Sequence, residues 1–429
     1  MIEFTLATVI LVVTLFLGVP IAFAIGITTF IYIFTTNPQN ITVIPLRMFA
    51  GVDSFILMAL PLFVLAAEIM VKAGISTKLF NFVRLILGRL RGGLAYVNIM
   101  ASTIFGSISG AALSDIAGLG YVEINAMRDD GYKNDFSCAI TAASSIQSPL
   151  IPPSNIAVLY AGIMALSVGA IFLAGIIPGL LLAGGQMLYT AVMAKKLNLP
   201  KHDKKYSSQE VFMIIKEGAI AILMPAIILV GILKGFFTPT EAAGIAVLYA
   251  VIIGFLLFRN VAVKDITAAL WTSAQNSASL FIIISISSVF AWALGVENVP
   301  EQIAQFLLGI TDNPLMMLLI VNIILIIVGM WMETGAAIVL FAPILAPIAY
   351  KVGIHPVHFA VVMIVNLTVG LITPPIGVVL YATAAVGKEK FENVVKATLP
   401  FIIIGFIVVA VMTLFPELAL FLPRYFGFI

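Results

Sequence analysis

Eleven apolar blocks, each at least 18 residues long, account for most of this chain: 4–36, 56–73, 94–127, 134–165, 168–194, 211–234, 238–258, 266–295, 314–350, 357–386 and 398–422. A run of about 18 apolar residues is long enough to cross the hydrocarbon core of a bilayer. Hydrophobic residues make up 62% of the 429 and charged residues only 10%, against about 25% charged in a soluble domain. The chain is read as an all-α polytopic membrane protein, with the lipid bilayer as its solvent.

Other function classes fall away on simple counts. The net charge of +2 is spread between apolar runs, so no basic face for nucleic acid forms. One cysteine, Cys138, excludes a disulfide framework or a thiolate metal site. The three histidines (His202, His355, His358) fall in or beside polar connections, too scattered for a metal cluster. There is no His-Glu-x-x-His, no Gly-x-Ser-x-Gly and no Walker loop, so the chain is expected not to be an enzyme and not to use ATP directly. No cofactor is expected. Met1-Ile2-Glu3-Phe4 lacks a basic n-region and reads as the start of the first membrane helix. Whether block 4–36 is one kinked helix or two stays open.

Two blocks, 94–127 and 314–350, are far longer than one crossing needs, and each carries small and polar residues near its middle. These stretches are Phe105-Gly106-Ser107-Ile108-Ser109-Gly110-Ala111-Ala112 and Gly329-Met330-Trp331-Met332-Glu333-Thr334-Gly335-Ala336-Ala337. Each block is either one tilted helix or a re-entrant hairpin of two half-length helices. Internal repetition favours hairpins. Leu62-Phe63, Gly88, Gly110-Ala111-Ala112, Pro152-Pro153 and Leu159-Tyr160-Ala161 recur in order as Leu280-Phe281, Gly309, Gly335-Ala336-Ala337, Pro374-Pro375 and Leu380-Tyr381-Ala382. Basic residues near membrane ends favour the cytoplasm. Lys78, Arg84, Arg89, Arg91, Arg128 and Lys133 flank the first long block, whereas 296–313 holds Glu297, Glu301 and Asp312 and no Lys or Arg. Lys388, Lys390 and Lys396 follow the second Pro-Pro pair, and the connection running from Lys195-Lys196 to Lys204-Lys205 is basic. These signs are mutually consistent only if the two repeats have inverted topology. The N-terminus is then expected in the cytoplasm and the C-terminus in the periplasm, in a bacterial inner membrane.

Inverted repeats with helices broken at mid-membrane are the architecture of secondary transporters, where freed carbonyls hold the coupling cation. Pro152-Pro153 and Pro374-Pro375 remove amide donors and break their helices. Hydroxyls of Ser107, Ser109 and Thr334 at the tips, with Ser145 and Ser148 before one break and Thr368 and Gly370 before the other, supply the hard oxygen ligands Na+ accepts. Asp115 and Glu333 are ionisable groups inside spans and are functional candidates. They either line a polar substrate cavity, with Ser154 and Asn155, or are held structurally by hydrogen bonds. Glu68 and Glu241 are further charged residues inside spans, in shorter helices.

Several motifs together resemble the large M subunit of tripartite ATP-independent periplasmic (TRAP) transporters. They are Leu17-Gly18-Val19-Pro20, Ala59-Leu60-Pro61-Leu62-Phe63, Gly106-Ser107-Ile108-Ser109-Gly110, Ile151-Pro152-Pro153-Ser154, Gly175-Ile176-Ile177-Pro178-Gly179, Phe237-Thr238-Pro239-Thr240-Glu241-Ala242-Ala243-Gly244 and Thr373-Pro374-Pro375-Ile376-Gly377. The resemblance covers essentially the whole chain. It implies an elevator mechanism, Na+ as coupling ion, a separate small four-helix Q membrane subunit and a periplasmic substrate-binding P protein. By the further likeness to divalent-anion/sodium symporters, Ser107, Ser109, Gly110 and the carbonyls before Pro152 would form one Na+ site. Thr334, Gly335, Thr368, Gly370 and Thr373 would form the other. The expected division is a scaffold over 1–93, a transport unit over 94–165, scaffold with the linker 195–210 over 166–313, a second transport unit over 314–386, and a C-terminal membrane helix over 387–429. Amphipathic arms are expected near 40–57 and 262–279. Ala111-Ala112-Leu113-Ser114-Asp115 leans toward sugar-acid members, so sialic acid is the favoured substrate and a C4-dicarboxylate the next. The alternative is a stand-alone Na+/organic-anion symporter of the divalent-anion type.

Overall fold

A computed structural model describes residues 2–36, 38–201 and 206–429. Within them the chain is helical, and seven helices are individually long and apolar enough to span a membrane. His202 and the rest of the basic stretch 202–205 lie outside the described residues.

The N-terminal block is two helices, α1 (Ile2–Phe16) and α2 (Ile21–Thr36), which pack on each other across Leu17-Gly18-Val19-Pro20. A tight 3-10 turn at Pro38–Thr42 leads to α3 (Val43–Val52), and the bend at 53–58 leads to α4 (Ala59–Lys72). Next comes α5 (Ile75–Leu87), turned 71° from α4. Lys78 on α5 pairs with Glu217 at 2.5 Å and lies 4.1 Å over the Phe258 ring.

The first long block folds back on itself. Helix α6 (Gly93–Ser109) meets Ala112–Asp129 at a bend of 117°, the second arm comprising α7 (Ala112–Asp115), a π-helical turn (Ile116–Gly120) and α8 (Tyr121–Asp129). Gly110 makes the reversal possible: its φ of +66° is the left-handed region that residues with a Cβ avoid. The next span is broken into α9 (Asn134–Ser145) and α10 (Asn155–Met164), followed by the continuous α11 (Val168–Met193).

The second half runs in the same order. Helices α12 (Ser208–Leu233) and α13 (Pro239–Ile252) each start at a capping box, Ser207 with Glu210 and Thr238 with Glu241. They precede α14 (Val263–Val296) and the short α15 (Val299–Ile310). The second long block divides at Met332-Glu333 into α16 (Pro314–Trp331) and α17 (Thr334–Lys351). A second broken span, α18 (Pro356–Gly370) and α19 (Val378–Gly387), is followed by α20 (Phe391–Leu414) and α21 (Pro416–Tyr425).

Several boundaries differ from expectation. The single C-terminal helix expected over 387–429 is two helices, because Pro416 starts a new one. The arm expected near 262–279 is the continuous first half of α14, since no Gly or Pro interrupts 263–279. Helices α5 and α15 fall outside the apolar blocks because they are amphipathic, which is weak signal in a search for uniformly apolar runs. His358 lies just inside the helix that follows the connection at 352–355. It is buried in the first turn of α18, its Nε2 bonded to the Met412 carbonyl at 2.8 Å.

Small residues let the broken helices approach their neighbours closely, as packing in lipid requires. Where α18 crosses α16, a Cβ built on Gly370 would lie 2.6 Å from Gly329 Cα and carbonyl carbon. Gly370→Ala is therefore expected to destabilise the protein by about 1–3 kcal/mol through overpacking. Gly309→Ala in α15, with nothing within 4 Å, should leave the thermal midpoint of the detergent-solubilised protein unchanged or raised. Equal midpoints for the two variants would show that the crossing is not tight.

Candidate functional site

Both long blocks bring their tips to a single large cavity of about 1380 Å³. One wall carries Ser109, Ala111 and Ser114 from the first hairpin, Asn155 at the start of α10, and Met332, Glu333 and Ala336 from the second tip. The rest of the lining includes α1, α4 and α14, with Glu68, Thr272, Asn276 and Ser279; Leu280, beside Ser279, lies against the second tip, 3.5 Å from a Cβ built on Gly335.

The first tip and the first break are joined directly. Asn155 Nδ2 donates to the Ser109 carbonyl at 3.2 Å, and a Cβ on Gly110 would meet the Asn155 backbone nitrogen at 2.7 Å. Ser154 caps α10: its Oγ accepts from Ala157 N at 3.1 Å and donates to the Pro149 carbonyl at 2.6 Å. Ser154 is therefore engaged in the break itself and does not line the cavity. Pro152 and Pro153 are joined by a cis bond, as are Pro374 and Pro375.

The hydroxyls sort into two groups. Ser107, Ser145, Thr368 and Thr373 donate to carbonyls of their own chain segment, at Ile104, Ala142, Ile364 and Val369. Their protons are fixed, and only lone pairs remain for another ligand. Ser109 Oγ, Ser148 Oγ and Thr334 Oγ1 are buried without a hydrogen-bond partner. Buried orphan oxygens in a native fold call for an explanation such as an ion, and neutral hydroxyls suit a hard cation.

At the second tip Glu333 is half-buried and caps α17, its Oε2 accepting from Gly335 N at 2.8 Å and Ala336 N at 3.3 Å. The positive end of the helix compensates its charge. Glu333 thus has both of the roles left open for it, a structural cap and a cavity-lining carboxylate. Gly370 sits at the α16 crossing, and Thr368 and Thr373 flank it, away from the cavity.

Asp115 departs from the cavity assignment. It is buried inside the hairpin beside Ser102, with neither carboxylate oxygen in a well-formed hydrogen bond. The π-helical turn at 116–120 explains its neighbour. Residues eight apart on a regular α-helix diverge by about 80°, and one extra residue in the turn restores them to a common face. Glu123 consequently faces the same hydroxyl, Ser102 Oγ donating to Glu123 Oε1 at 3.4 Å. Ser144 extends the network to Ser102 at 3.1 Å and Asn98 at 2.8 Å, and Asn98 reaches Thr141 at 2.7 Å. Glu123 went unnoticed in the sequence, although it lies inside the block 94–127 where any carboxylate is costly. Glu68 was noticed as a charged residue in a span, but nothing local indicated that it faces the cavity.

Adjacent residues test this placement. In a Cys138→Ala background, Ser114→Cys should react with a small water-soluble thiol reagent, while Asp115→Cys should stay protected until the protein is denatured. Equal labelling of both positions in folded protein would move Asp115 back into the cavity.

Comparisons with known proteins agree with this architecture. The model of the family "Tripartite ATP-independent periplasmic transporter, DctM component" matches residues 8–418. The sialic acid TRAP transporter large permease protein SiaM of Vibrio cholerae serotype O1 is 39% identical over 415 residues, 96% of each chain. The C4-dicarboxylate TRAP transporter large permease protein DctM of Rhodobacter capsulatus is 30% identical, covering 97% of this chain and 98% of that one. Among solved structures, the YdaH transporter of Alcanivorax borkumensis aligns with a TM-score of 0.60 at 15% identity, over 91% of this chain and 89% of the other. At that identity the likeness concerns the fold alone. These relatives are transporter permeases rather than enzymes, and the chain belongs to the DctM component family of tripartite ATP-independent periplasmic transporters.

Proposed function

We propose that this chain is the large membrane permease of a Na+-coupled TRAP transporter that imports an organic acid through the bacterial inner membrane. The carrying observation is the convergence of both hairpin tips on one cavity, with unpartnered hydroxyls at Ser109 and Thr334. Ser107, Ser109, Gly110, Ser145, Ser148 and the carbonyls before Pro152 would hold one Na+. Thr334, Gly335, Thr368, Gly370 and Thr373 would hold the other. Sialic acid is the favoured substrate, consistent with the name of the 39% identical SiaM, and a C4-dicarboxylate is the next.

The matching element order of the two halves supports an internal repeat, and the positive-inside rule supports its inversion. With α1 and α2 as separate passes, threading from a cytoplasmic 194–207 connection puts both termini in the periplasm. The N-terminus therefore moves to the side opposite the one a single kinked crossing would give. The units 94–165 and 314–386 would slide together past the remaining helices. Polar groups at membrane depth must stay enclosed by protein, and sliding a whole unit keeps them so. A periplasmic binding protein would deliver substrate, and a small four-helix subunit would dock on the scaffold. Uptake in proteoliposomes that needs neither partner would instead favour the stand-alone symporter.

Two measurements test coupling and motion. Ser109→Ala and Thr334→Ala should each raise the Na+ concentration for half-maximal uptake about ten- to hundredfold, the scale of losing about 1.5–3 kcal/mol from a ligand to a charged group. Unchanged Na+ dependence in both would remove the tips from the ion sites. The second uses Gly162, whose added Cβ would lie 2.9 Å from Leu57 Cδ2 across the unit boundary. A disulfide between cysteines at 57 and 162, in the Cys138→Ala background, should abolish uptake, and reduction should restore it. Normal uptake by the cross-linked protein would rule out the sliding unit.

A further inference from the structure

The cavity is proposed above as the path of an organic anion, yet among the described residues no Lys, Arg or His lines it. Its charged groups are two carboxylates. Glu333 is compensated by the N-terminus of α17, as described. Glu68, half-buried on α4, has only the partial compensation of Lys72, which lies one turn further along α4, exposed and outside the lining.

The α14 part of the lining has a definite polarity. Thr272, Asn276 and Ser279 fall at i, i+4 and i+7, one stripe of an otherwise largely apolar helix. Thr272 Oγ1 donates to the Ala268 carbonyl at 3.1 Å and Ser279 Oγ to the Gln275 carbonyl at 3.0 Å. With their protons turned back into the helix, both hydroxyls present lone pairs to the cavity. Asn276 is exposed there and can both donate and accept. Glu68 adds two more acceptor oxygens. This part of the lining is therefore mainly a field of acceptors in the same cavity as the tips.

We infer that Glu68 and the Thr272–Asn276–Ser279 stripe form a specificity-determining wall that selects monoanions rich in hydroxyl or amide N–H donors and rejects dianions. This rests on the transport function proposed above. A substrate whose single carboxylate lies at the tips offers its donors to the wall. A dicarboxylate of similar reach brings its second charge toward Glu68 in a poorly solvated space, where like charges repel strongly. Rejection by a built-in repulsive group is a general route to specificity.

The test uses the purified complex of this chain with its small membrane subunit in Na+ buffer. Binding of sialic acid, D-gluconate and succinate is read by thermal shift and titration. The wild-type complex should bind both sugar acids and discriminate against succinate. Glu68→Gln should lower the ratio of the succinate Kd to the sialic acid Kd by about tenfold, as a charge-assisted hydrogen bond is lost and a repulsion relieved. Asn276→Ala, on an exposed position that folding does not depend on, should weaken sugar-acid binding while leaving succinate unchanged. A purely structural role for Glu68 would shift all three affinities together. Wild-type preference for succinate, or an unaltered ratio in Glu68→Gln and Asn276→Ala, overturns the inference while the transport reading stands. Failure of the wild-type complex to bind any of the three acids overturns both.

Discussion

Everything in this fold follows from the cost of leaving a backbone polar group without a partner in hydrocarbon, several kcal/mol each. The chain breaks its helices twice, at 146–154, where all residues but Ile151 are buried, and at 371–377, where Pro375 is exposed. Each break has to be sealed by neighbouring protein. At the first, Gln147 Nε2 donates to Gln186 Oε1 at 2.8 Å, and Gln186 Nε2 donates to the Ala143 carbonyl at 2.6 Å. Thr103 also bonds to Gln147, and Asn155 closes on the Ser109 carbonyl. At the second, Gly377 N reaches the Met330 carbonyl at 3.3 Å, and Asn366 joins Asn322 at 2.6 Å and, through it, Thr413. The hairpin helices are thus the walls that make broken spans tolerable.

The same requirement places the functional groups. Sealing the breaks with hairpin tips brings two helix starts, α10 and α17, to one cavity, and both are capped by side chains, Ser154 and Glu333. Hydroxyls that serve the helices are used up locally, whereas Ser109, Ser148 and Thr334 are left with unmatched oxygens. Among the described residues the cavity carries two carboxylates and no basic side chain, so these side chains do not by themselves attract an anion. The N-termini of α10 and α17 are then the sources of positive potential that the fold itself supplies at this cavity.

Much of this was legible in the residues. Uniform apolar runs announced the spans, Pro-Pro pairs announced the breaks, and Gly110 with its flanking serines announced the first tip. Where the signal was mixed, reading failed. The amphipathic α5 and α15 fell between apolar blocks. Pro416 split a C-terminal run that hydropathy alone joined. Leu17-Gly18-Val19-Pro20 could mean a kink or a full turn, and only the packing of α2 on α1 distinguishes them.

The sequence by itself determined that the chain lives in lipid, where its helices must break, and which residue types surround the breaks. These properties are local, because transfer free energy and proline's missing N–H act on a residue whatever its distant neighbours are. The tertiary structure alone decided which polar groups meet. Asp115 and Glu123 came to face Ser102 together because the π-helical turn between them rotated Glu123 onto the face that carries Asp115. Glu68, more than 200 residues from Asn276, came to share a wall with it. Such pairings depend on how whole helices cross, and a crossing is set by long-range packing of small residues such as Gly329 against Gly370 rather than by any local pattern.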